Sequence, residues 1–147
     1  MPDLTDLTIA EAAPLIRDRQ LSPVELTEAY LRRIADHDRA YNAFITVTGE
    51  RAIADARRAE SDIAADDYRG ALHGIPVGMK DIIATSGIRT TCGSRIFAER
   101  VPEADAQVAR RLAAAGTVML GKLNGHEFAR GQRTTTRTTG RPATHGI

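Results

Sequence analysis

Cysteine occurs once in this sequence, tryptophan not at all, and aromatic residues make up only 4% of it. The single cysteine, Cys92, excludes an internal disulfide framework and fits a reducing compartment. With few rings available, a core has to rest on Ala, Ile, Leu and Val. No apolar run approaches the roughly 18–20 residues of a membrane span. The polar start Met-Pro-Asp-Leu-Thr-Asp does not read as a signal peptide, so a cytoplasmic location is expected. Net charge is nearly absent as well, at +1. Because Arg133, Arg137 and Arg141 lie in a stretch without acids, the remainder is mildly acidic, with no electrostatic reason for nucleic-acid or membrane binding. The histidines at 37, 73, 126 and 145 lack metal-ligand spacing, and no cofactor or metal is expected.

What is present fits one soluble domain: 147 residues, 42% hydrophobic and 27% charged. Thr8, with Glu11 three positions on, is a capping-box pair that opens a helix to about Asp18. Ser22-Pro23-Val24-Glu25 repeats the signal, with proline at the first helical position. Leu26, Tyr30, Leu31 and Ile34 then recur at helical spacing to about His37. Asn42–Val47 reads as a short strand. An Ala-rich helix over 49–66, with Ile53 and Ile63 as its only large aliphatics, needs a partner surface.

Glycines 70, 74, 78, 87 and 93 then punctuate short apolar pieces, as strands and tight loops around a site do. A helix over 104–115 stops at Gly116, where a left-handed residue belongs, and Thr117–Leu120 follows as a buried strand. Residues 124–129 are expected to start another helix. The order of elements points to an α/β sheet protein.

From about Gly131 the text changes. Residues 132–147 hold six threonines and three arginines with almost nothing to bury, and are expected to be disordered. Re-read one base earlier, with free third bases chosen, Gln132–Ile147 gives ANDDAHYGPPRNPWD. The expectation is therefore a domain over 1–130 and a frameshifted, non-native tail over 131–147.

The chemistry-bearing stretch is 70–94, Gly-Ala-Leu-His-Gly-Ile-Pro-Val-Gly-Met-Lys-Asp through Thr91-Cys92-Gly93-Ser94. Lys80 ends an apolar run with Asp81 just after it, and a lysine so placed is expected to be partly desolvated, which lowers an ammonium pKa toward the range of a base. Gly116–Leu123 satisfies most of the nucleotide P-loop pattern. Its intervening residues are strand-like, however, and Leu123 stands where a magnesium ion needs a hydroxyl. His126-Glu127 begins like a zinc-protease helix, but Arg130 occupies the second histidine position.

The stretch Leu-His-Gly-Ile-Pro-Val-x-x-Lys-Asp resembles the lysine segment of the amidase signature family, serine-dependent amide hydrolases with a Ser–cis-Ser–Lys triad. Thr91-Cys92-Gly93-Ser94 is similar to that family's Thr-x-Gly-Ser element, and Gly121–Ala129 to its Gly-Lys-x-Asn…Glu-Phe-Ala segment. The resemblance covers residues 7–129. It implies an α/β fold: N-terminal helices plus the first strands of a mixed sheet wrapped in helices, incomplete here. It implies Lys80 as the triad lysine, acting on a small-molecule carboxamide through an acyl-enzyme. The family's GGSSGGS loop, source of both serines, does not occur in these residues, so Ser94 takes neither role and the chain alone is expected to be inactive. Cys92 reads as a small buried residue. The competing class is a non-catalytic helical interaction module with a basic tail, which would have no use for the Lys80–Asp81 segment.

Overall fold

Local chemistry sets where the helices begin. In the computed structural model, which describes residues 3–130, α1 (Ile9–Arg17) opens on the expected capping box. The Thr8 hydroxyl accepts from the Glu11 N–H, and the Glu11 carboxylate accepts from the Thr8 N–H. α2 (Pro23–Tyr41) starts on Ser22, whose hydroxyl accepts from the N–H groups of Val24 and Glu25. It runs past His37 because Asn42 closes it in the left-handed conformation. β1 (Phe44–Val47) and α3 (Gly49–Ala64) follow, then β2 (Pro76–Lys80), α4 (Gln107–Ala114) and β3 (Val118–Leu123). Among the described residues, no helix is long and apolar enough to cross a membrane. The expectations for the tail, residues 131–147, lie outside the described residues.

The sheet order is β1-β3-β2, with β1 antiparallel and β2 parallel to β3. β3 is thus central, and among the described residues both its neighbours form edges. β3 extends to Leu123, beyond the strand expected over 117–120, because β2 pairs along its whole length to the Lys80–Leu123 position.

Alternation along β3 splits the core. Val118 and Leu120 pack against Ala52 and Ala56 of α3, whereas Met119 packs with Met79, Ile88 and Ala109 of α4. The helix α3 therefore finds its partner surface mostly through small residues: Ala52, Ala56 and Ala59, with Ile63, are its buried stripe. A third cluster joins α1 and α2 to Ile63 and Ile75. A β-bulge then breaks the alternation. Val77 faces Met119 but Met79 faces Lys122, so β3 spends three residues where β2 spends two. The bulge moves Lys122 onto the Met79 face of the sheet.

Two elements differ from expectation. The helix expected from residue 104 begins at Gln107, because Asp105 accepts from the Ser86 N–H and the Glu103 carbonyl accepts from the Ser86 hydroxyl. The helix expected over 124–129 does not form. A single 3-10 turn, Glu127–Ala129, stands there with Phe128 and Ala129 at positive φ. The Phe128 N–H donates to the Cys92 carbonyl (2.8 Å), which pins this segment to another loop.

His73 is buried, with one of its two ring nitrogens hydrogen-bonded. Its Nδ1 accepts from the Arg69 N–H (3.1 Å), and its Nε2 lies 3.8 Å from an Asp62 carboxylate oxygen. Gly116 presses against the ring: a Cβ there would overlap His73 Cδ2, and its φ of +78° suits glycine.

Candidate functional site

Three segments meet at the C-terminal ends of the parallel strands β2 and β3, where open α/β sheets place their ligands. The first is the end of β2, Lys80 and Asp81. The second is the loop Thr91–Ser94, and the third is the chain leaving β3, Leu123–His126. Lys80, Asp81, Ile82, Cys92, Gly93, Leu123, Gly125 and His126 line a narrow cleft between them. Lys80 lies along its mouth, its Cε 3.6 Å from the position a Cβ on Gly125 would take.

Lys80 is exposed, so the desolvation expected of it is not met in this chain. The reason is geometric. β2 is an edge strand, and alternation turns Lys80 away from the face that buries Met79.

Asp81 does the opposite, and is 3% exposed. One carboxylate oxygen accepts from the Thr91 N–H (3.0 Å), the Thr91 hydroxyl (2.5 Å) and the Gly93 N–H (3.3 Å). The Asp81 carbonyl also accepts from the Cys92 N–H (3.3 Å). The residue beside Lys80 thereby organises the facing loop. That loop is latched on its outer side too. The Ser94 hydroxyl donates to Glu127 (2.6 Å) and accepts from the Ile96 N–H (3.3 Å). Gly93, at φ +65°, approaches the 125–127 backbone so closely that a Cβ would meet the Gly125 carbonyl at 3.0 Å. Ser94 is thus buried and fully engaged, and Cys92 is half-buried in the cleft wall.

The residue that sequence pattern alone does not reveal is Lys122, with no accessible surface at all. Its ammonium donates to the Ile83 carbonyl, to the Thr85 hydroxyl (3.0 Å) and to the Thr90 hydroxyl (3.1 Å). Burial pushes its pKa below the ordinary lysine range, and the Asp81 carboxylate opposes that shift. Three N–H donors meet three acceptors, so this amine is a structural cation with no lone pair to offer. The signals available were its place in the P-loop-like pattern and in the Gly-Lys-x-Asn segment, and neither says that the lysine is buried. The bulge that buries Lys122 left no mark that periodicity could detect. Gly121-Lys122 lies inside β3, away from any helix N-terminus, so the P-loop pattern is fulfilled in letters only.

This arrangement matches a family. The amidase model matches residues 25–144, and the chain belongs to the amidase family, the amidase signature proteins. Over 124 residues it is 51% identical to a glutamyl-tRNA(Gln) amidotransferase subunit from Methylococcus capsulatus, covering 84% of this chain and 25% of that protein. A protein of the same description from Salinispora tropica is 46% identical over 134 residues, covering 91% and 27% respectively. Among solved structures, the peptide amidase of Stenotrophomonas maltophilia superposes with a TM-score of 0.79 at 34% identity, covering 84% of this chain and 26% of that one. The chain spans about a quarter of the length of the curated relatives it matches. The expected α/β fold, helices around the first strands of a mixed sheet, is the fold shared with these structures.

Proposed function

We propose that Lys80 is the base of a carboxamide-hydrolysing site of the Ser–cis-Ser–Lys type, to which these residues contribute the lysine end. The observation that carries this reading is the placement of Lys80. It is an accessible amine at the end of a parallel strand, in a cleft whose three walls are the segments that resemble the family's motifs. In that chemistry a neutral amine takes the proton of a bridging serine, which deprotonates a nucleophilic serine. The serine attacks the amide carbonyl, the amine leaves with the returned proton, and water releases the acyl group. Carboxamides are the substrate class that the relatives' descriptions, peptide amidase and amidotransferase, have in common. The 147 residues contain no Gly/Ser-rich loop of the GGSSGGS form, so both serines have to come from outside them.

A chimera tests the role of Lys80. Residues 25–130 of this chain replace the matching stretch of the Stenotrophomonas maltophilia peptide amidase, and hydrolysis of a peptide amide is measured. Lys80→Met is expected to lower the chimera's rate by about 10⁴–10⁶-fold, the scale on which triad members act. A chimera whose activity survives Lys80→Met refutes the assignment.

A further inference from the structure

We propose that Lys122 is a positioning residue: acting with Asp81 through the consecutive threonines Thr90 and Thr91, it holds in place the Thr91–Ser94 loop that walls the cleft beside Lys80. The geometry is a clamp of two opposite charges on two adjacent hydroxyls. The Thr90 hydroxyl accepts from Lys122 and donates to the Ile88 carbonyl (3.1 Å). The Thr91 hydroxyl donates to Asp81 and accepts from the Gly93 N–H (3.1 Å). Both threonines are fully buried, so neither hydroxyl can turn to water instead. A cation fixes the direction of one and an anion the direction of the other.

Neither charge is self-sufficient. Asp81 spends one oxygen on the loop, while the other is buried with no hydrogen-bond partner among the described residues. A buried carboxylate held on one oxygen needs compensating positive charge. Lys122 is the buried cation that supplies it, across the threonine pair instead of by direct contact. Removing the ammonium leaves Asp81 uncompensated and takes away the donor to Thr90, and both effects loosen the same loop. Lys122 also ties that loop to the 83–85 segment through the Ile83 carbonyl and Thr85. The loop gains functional significance only on the reading of Lys80 above, but the clamp itself can be measured whatever Lys80 does.

Cys92 is the only thiol in the chain and lies in the wall itself, with φ at +57°. Its labelling rate by the neutral reagent 4,4′-dithiodipyridine, measured on the folded full chain, reports the wall directly. Lys122→Met and Thr90→Val are each expected to accelerate labelling by about tenfold, the size of one lost charge-assisted hydrogen bond. Thr90→Ser, which keeps the hydroxyl, should restore the wild-type rate. Gly116→Ala, which destabilises the fold away from the cleft, should leave the rate unchanged. The proposal is overturned if Thr90→Val labels at the wild-type rate. It is equally overturned if Gly116→Ala accelerates labelling as much as Lys122→Met, since the effect would then be general destabilisation. Should Lys122→Met fail to fold, the Thr90→Val and Thr90→Ser pair decides alone. Loss of Lys80 function in the chimera would leave all these rates as they are, so the two readings fail separately.

Discussion

Lys80 and Lys122 are the only lysines of the chain, and they leave neighbouring parallel strands on opposite faces of the sheet. Lys80 is paired with Leu123 and exposed, while Lys122 is paired with Met79 and has no accessible surface. One is available for chemistry. The other has every donor occupied. Desolvation, the property expected of Lys80, belongs to Lys122, and accessibility at the cleft is what distinguishes Lys80.

The contact between His73 and Gly116 predicts a costly substitution. Gly116→Ala adds a methyl that would overlap the buried ring, at φ +78°. Left-handed strain and overpacking together should cost about 2–4 kcal/mol. Urea unfolding of the two proteins measures it, and a difference under about 0.5 kcal/mol, the range of an ordinary surface substitution, would show that this packing is wrong.

The same histidine sets a pH dependence. Burial foremost, with the Arg69 guanidinium assisting, lowers the His73 pKa from its ordinary 6.5, against the opposing pull of Asp62 and Asp67. Its Nδ1 accepts from the Arg69 N–H, so protonation would also cost that bond. The unfolded chain therefore takes up a proton near pH 6.5 that the folded chain refuses. Stability should fall as pH drops below about 6.5 and level off once the lower folded-state pKa is passed. Comparing unfolding at pH 7.5 and 5.5 in wild type and His73→Gln isolates the effect. A variant that loses as much stability on acidification as the wild type would clear His73 of this role.

Much of this architecture was legible because it rests on local rules. The Thr8–Glu11 box, the Ser22-Pro23 start, the Ala-rich helix α3 and the stop at Gly116 each depend on residues within a turn or two. What escaped depends on distant partners. The bulge that buries Lys122 is set by the register between β2 and β3. The segment after β3 looks helical in isolation but is captured by Cys92 and Ser94, more than thirty positions earlier. Exposure of Lys80 follows from β2 being an edge strand among the described residues, which an apolar run cannot announce. The segment around Lys80 was singled out by its family resemblance, and the hydrogen bonds that shape the cleft beside it became visible only in three dimensions.

On the proposed reading of Lys80, the lysine needs serines that these residues do not supply. The 147-residue chain should hydrolyse no simple amide above the buffer rate, since loss of triad members leaves rates about 10⁴–10⁶ below an intact enzyme. Turnover that vanishes in Lys80→Met would contradict this and require a nucleophile within these residues.

The most direct measurement is reductive methylation of the folded chain with ¹³C-formaldehyde, followed residue by residue by mass spectrometry. With only two lysines, the result is unambiguous. This arrangement predicts rapid methylation of Lys80, and protection of Lys122 until the chain is unfolded, because its ammonium is enclosed by Ile83, Thr85 and Thr90. Methylation of Lys122 at the rate of Lys80 in the folded chain would contradict it.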